Sequence, residues 1–69
     1  MTNSVFKLIE VTGTSTFGID DAIQTAVARA SQTVRHMSWF EVIEMRGRID
    51  ENHVSQWQVT LKIGFSLED

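Results

Sequence analysis

The chain has 69 residues, no cysteine and a net charge of -3. A chain of this size buries only about 60% of the surface that its unfolded form exposes, so small domains lean on disulfides, a structural metal or association. The first remedy is excluded, and six basic residues scattered among nine acidic ones give no electrostatic footprint for nucleic acid.

The two histidines, His36 and His53, fall in different elements and have no metal-ligand spacing, so a closed zinc site within one chain is also excluded. Association of identical chains remains. A 42% hydrophobic and 22% charged composition without proline argues against disorder. No apolar run approaches the roughly 20 residues that span a bilayer, and the Met-Thr-Asn-Ser start has no signal-peptide pattern. The expectation is a cytoplasmic protein forming a single domain over residues 1–69.

Val5 to Thr12 is rich in β-branched and apolar residues and precedes Gly13, which predicts a first strand stopped by that glycine. Phe6 and Leu8 occupy one face, and Val5, Ile9 and Val11 the other. Apolar groups on both faces imply that both are covered. Thr14, Ser15 and Thr16 then offer hydroxyls to cap a helix, and Asp20 and Asp21 place negative charge in its first turn, where the macrodipole favours it. Ile19, Ile23, Ala26, Val27, Ala30 and Val34 form one stripe at helical spacing, while Asp20, Gln24, Arg29, Ser31 and Arg35 face away. The small residues of the stripe allow close approach to a sheet. His36 reads as a helix-end residue near the negative end of the dipole.

A second strand over Trp39 to Ile49 has apolar groups on both sides, with Phe40 and Val42 alternating with Trp39, Ile43, Met45 and Ile49. Asp50-Glu51-Asn52 supplies the turn, with His53 solvated beside it. From Trp57 onward, Val59, Leu61, Ile63 and Phe65 alternate with polar partners, so this row is the face beneath the helix. The fold class is therefore α+β: a β-α-β-β unit whose three-stranded antiparallel sheet, in order 1-3-2, wraps on one helix. One helix covers one face. Neighbouring subunits are expected to cover the other.

No nucleophile motif, glycine-rich phosphate loop or HExxH is present, and Glu41 and Glu44 are expected on opposite faces of their strand, so nothing marks an acid/base pair. The chain is expected not to be an enzyme. Trp39, Arg46 and Gln58 form a more informative set. They offer a stacking plane, a fork for phosphate or carboxylate, and an amide that both donates and accepts. Taken singly, each has a plain reading as a core tryptophan, a surface charge and a solvated strand amide.

The Val5-Phe6-Lys7 opening, Gly13-Thr14-Ser15, Asp20-Asp21-Ala22-Ile23, Trp39-Phe40-Glu41-Val42, Gln58 and Gly64-Phe65 together make the sequence closely resemble the dodecins, small flavin-binding proteins. The likeness runs nearly from end to end at matching spacing. It implies a β-α-β-β subunit, twelve of which form a hollow shell of cubic symmetry with flavins at subunit contacts. By the resemblance, Trp39 stacks on the isoalloxazine, with two flavins packed between symmetry-related indoles. Gln58 meets the polar edge of the ring, and Arg46 is a candidate for the phosphate side. Ser66 departs from the arginine that bacterial relatives often carry before the Leu-Glu-Asp ending. Some members bind coenzyme A, for which Lys7 and Arg29 are the candidates. The implied function is storage and sequestration of FMN or riboflavin, photochemically quenched by the indole. The rival readings are a structural shell or coenzyme A-binding protein with incidental flavin binding and, behind it, a flavin-dependent oxidoreductase.

Overall fold

The computed structural model describes residues 3–67. Met1 and Thr2 of the N-terminus, and Glu68 and Asp69 of the ending noted above, lie outside the described residues. The order is β1 (Phe6–Ser15), α1 (Ile19–Ala30), β2 (Met37–Asp50) and β3 (His53–Ser66). The sheet runs β1-β3-β2, antiparallel throughout, as the β-α-β-β order of elements predicts.

The core forms where the clean period of two on β3 meets the small-residue stripe of α1. Val59, Leu61 and Ile63 are its largest fully buried side chains, and Ala22, Ala26 and Ala30 cover them. Ile9, Val11, Ile19, Ile23, Val27 and Met37 pack around the margin. Ala22, fully buried, belongs to this ridge of alanines four residues apart, although the apolar stripe read from the sequence omits it.

Gly13 does not stop β1. The strand continues to Ser15, with Gly13 opposite Val59. The glycine is needed because the helix passes directly over it. A Cβ there would run into the Ala22 carbonyl oxygen and lie 2.8 Å from Ala26 Cβ.

The hydroxyls before α1 act differently from simple caps. Gly18 is the N-cap, with no side-chain cap bond. Ser15 Oγ accepts from the Phe17 and Gly18 amides and donates to Asp21 Oδ2 at 2.7 Å, which fixes the turn one step upstream. At the other end the helix stops at Ala30, short of Val34. The chain tightens through Thr33 N to Ala30 O and Val34 N to Ala30 O bonds, and Arg35 and His36 fall beyond the helix. His36 has a left-handed backbone, φ 65°, and its carbonyl accepts from the Ser66 amide at 3.0 Å. It ties the connection to β3 and does not sit at the helix terminus.

Asp50 pairs with His53 across Glu51-Asn52, whose φ values of 49° and 68° are both positive, as a two-residue type I′ hairpin requires. Three register shifts interrupt the hairpin, leaving Ser38, Ile43 and Ser55 as extra residues. The shift at Ile43 changes the facing of everything after it. Phe40, Val42 and Met45 oppose Ile63, Leu61 and Val59 on the helix side. Trp39, Glu41, Glu44 and Arg46 oppose Gly64, Lys62, Thr60 and Gln58 on the other. Glu41 and Glu44 therefore share a face, contrary to simple alternation.

The helix packs on β1 and β3, and of β2 only Met37 joins the margin of the core among the described residues. Its residues from Ser38 to Asp50 are all exposed. The chain is elongated, with extents of 56 × 20 × 13 Å and a radius of gyration of 14.5 Å, against about 11 Å for a compact domain of this length.

Candidate functional site on the open face of the sheet

The face away from α1 carries the three residues singled out by their chemistry. At one end, Trp39 stands opposite Gly64. The indole lies over this glycine so closely that a Cβ at Gly64 would be 2.5 Å from Cε2 and 2.6 Å from Cη2. Gly64 has no positive φ, so space and not backbone freedom demands glycine. With no side chain on the central strand, aromatic groups from the two outer strands meet above it. Phe6 meets Trp39 edge-on, with centroids 5.0 Å apart and planes at 61°, a favoured aromatic arrangement. Trp39 remains 44% exposed and Leu8, also opposite Gly64, 48%. The indole is thus a braced plane at the rim and not part of the buried core.

At the other end, Arg46 and Gln58 are cross-strand partners. Arg46 Nε donates to Gln58 Oε1 at 2.8 Å, and Nη1 donates to Glu44 Oε1 at 2.6 Å. Gln58 Nε2 donates to Gln56 Oε1 at 2.9 Å. The four side chains form one relay, in which the amide of Gln58 is oriented by both neighbours. Glu44 and Gln56 carry no signal in the sequence. The part of Glu44 depends on the bulge at Ile43, which brings Glu44 and Arg46 to this face, and Gln56 reaches Gln58 as the residue two positions before it on β3.

Between the two ends lie Lys62, flanked by Glu10 and Glu41, and Thr60, whose hydroxyl is 2.9 Å from that of Thr12. The structure brings Arg46 and Gln58 together but does not bring Trp39 to them. Gly64 and Gln58 are six residues apart along β3, which at strand rise is about 20 Å. Ser66 lies opposite Phe6, at the Trp39 end.

The remaining candidates are elsewhere. Arg29 lines a cavity of about 520 Å³ between α1 and β1, with Ile9, Thr14, Thr25 and Thr33 among its neighbours. Lys7, opposite Phe65, does not line it. Trp57 lines shallow clefts beside Phe17, Ile19, Met45 and Gly47 near the start of α1. Among the described residues, no three His, Asp or Glu side chains cluster as a metal site, and no helix is long and apolar enough to cross a membrane.

A small α+β subunit with an aromatic platform and a separate polar relay on the open face of its sheet is the class of protein this geometry defines. The Dodecin family model matches residues 5–68. A curated Thermus thermophilus dodecin is 52% identical over 65 residues, covering 94% of each chain. Two solved structures are similar over nearly their whole length. The dodecin from Streptomyces davaonensis has a TM-score of 0.94 at 41% identity, covering 99% of this chain and 100% of that one. The dodecin from Streptomyces coelicolor has a TM-score of 0.93 at 51% identity, covering 100% and 99%. The chain belongs to the Dodecin family.

Proposed function

We propose that the protein, acting as one dodecin unit over residues 1–69, is a flavin-binding storage and sequestration protein that works as a hollow homododecamer in the cytoplasm and carries out no catalysis. The observation that carries this reading is the separation of an exposed indole from the Arg46–Gln58 pair on one open face. At about 20 Å, one chain cannot both stack a planar ring on Trp39 and meet the edge of that ring with Gln58. On this reading a second copy supplies one of the two, and the ligand lies at a subunit contact.

The residues fit the group. Trp39 presents a flat apolar surface held from behind by Gly64 and from the side by Phe6. Gln58 retains one amide proton and one carbonyl lone pair beyond its relay bonds, a donor and acceptor side by side that suit the pyrimidine edge of an isoalloxazine. Trp39 would hold the ring, and an indole in contact with a bound flavin would be the electron donor that quenches its excited state without net chemistry. FMN and riboflavin are the cofactors proposed. Coenzyme A has less support, since Lys7 lies away from the cavity that Arg29 lines.

Titration of the apoprotein with riboflavin and with FMN tests the reading. Bound flavin should be dark in fluorescence. Affinities for the two should agree within a small factor and change little with salt, because Arg46 is the one cation of the relay and Ser66 stands where relatives carry another. A colourless shell that binds neither flavin would favour the structural-shell reading. A large, salt-sensitive preference for FMN would reveal a phosphate site that these residues do not provide.

A further inference from the structure

The polar end of the site contains a carboxylate that the flavin reading alone does not use. Glu44 Oε1 holds Arg46 Nη1 at 2.6 Å while Gln58 Oε1 holds Arg46 Nε at 2.8 Å. Two of the three guanidinium nitrogens are thereby engaged within the chain. Resting on the flavin-binding reading, we propose that Glu44 is a selectivity-setting residue, holding Arg46 as a brace for Gln58 and keeping it from serving as an anion receptor.

A free guanidinium grips a phosphate with two parallel N–H bonds. Here a phosphate approaching Arg46 meets a carboxylate already on the same group, so it must displace that carboxylate or sit beside its charge. The bonds that occupy Arg46 also orient Gln58. Arg46 fills one lone pair of Oε1, and Gln56 takes one proton of Nε2, so the amide cannot flip without losing both bonds. The site then reads the donor and acceptor edge of a planar heterocycle and is indifferent to an anionic tail. Glu44 is exposed, with 66% of its side chain accessible, and β2 is formed by backbone pairing with β3, so neutralising it removes a charge without opening the core.

The test compares FMN with riboflavin on three intact, assembled proteins: wild type, Glu44→Gln, and Glu44→Gln combined with Arg46→Gln. In wild type the two affinities should be within a small factor. Glu44→Gln should raise the FMN to riboflavin affinity ratio by roughly tenfold, the size of one charge-assisted bond gained, and should make FMN binding salt-sensitive. The added Arg46→Gln change should return the ratio to the wild-type value, which shows that the gain runs through the guanidinium. A ratio unmoved by Glu44→Gln, in a protein that still binds both flavins, overturns the inference and leaves the flavin reading standing. Binding of neither flavin by wild type overturns both.

Discussion

Replacement of Trp39 by alanine is expected to leave the apo-assembly intact while weakening flavin binding and restoring fluorescence to whatever flavin still binds. A core tryptophan replaced by alanine costs about 3–5 kcal/mol and breaks a small fold. Trp39 is not in that position. The buried core consists of Ala22, Ala26, Ala30, Val59, Leu61 and Ile63 under the helix, and Trp39 is 44% exposed on the opposite face. Loss of an aromatic platform under a stacked base costs about 1–3 kcal/mol, or roughly 5- to 150-fold in affinity, and a flavin ring stacked on Trp39 should respond on that scale. Trp57 is the internal control. It lies beside Ile19 near the start of the helix, so Trp57→Ala should damage folding and assembly more than quenching. Fluorescence titration together with particle mass separates the two variants. Collapse of the shell by Trp39→Ala while Trp57→Ala leaves it whole would refute the assignment, as would full quenching of bound flavin without Trp39.

Dilution below the assembly threshold is expected to unfold the chain and not to release folded monomers. Among the described residues only three large side chains are fully buried, each adding about 1.5–3 kcal/mol, while ordering the backbone costs about 1–2 kcal/mol for every residue. The missing burial is visible on the surface. Phe6, Leu8 and Trp39 are exposed on the open face, and Phe40, Val42, Met45 and Ile49 on the part of β2 that the helix does not reach. The outer strands β1 and β2 also present edges ready to pair or pack. Circular dichroism and sedimentation measured together over a dilution series should show structure and mass lost in one transition. A folded species of single-chain mass at low concentration would contradict this.

The parts of the fold that were legible in the sequence are those with an uninterrupted period. Val59, Leu61 and Ile63 alternate cleanly with polar neighbours, which identified the face beneath the helix, while the β-α-β-β order, which points the first two strands the same way, put the third between them. The spacing from Ile19 to Ala30 identified the helix and its covered side. The obscured parts are those where one residue breaks the period. Ser38, Ile43 and Ser55 are bulged, and because a bulge reverses facing without changing composition, β2 read as apolar on both sides. The extra residue at Ile43 alone decides that Glu44 and Arg46 join Trp39 and Glu41 on the open face. Gly13 looked like a stop because its role depends on a helix lying over it, which local sequence does not encode. Val34 kept the helical spacing after the helix had ended, because it lies in the tightened turn bonded to Ala30 and lines the cavity between α1 and β1.

The candidate residues were legible as chemical types, and their arrangement was not. Arg46 and Gln58 are partners across the hairpin, a pairing that the turn at Glu51-Asn52 sets once the bulges are counted. Their distance from Trp39 follows from the length of β3 and, for one flavin to meet all three as proposed, becomes a requirement for more than one subunit.

That requirement is tested most directly by native mass spectrometry of the protein as purified from cells, with the visible spectrum recorded on the same sample. The expected result is a yellow particle of twelve 7.8 kDa chains whose flavin leaves when the particle is dissociated. A single chain that retains flavin, or a twelve-chain particle that is colourless and takes up none when flavin is added, would contradict it.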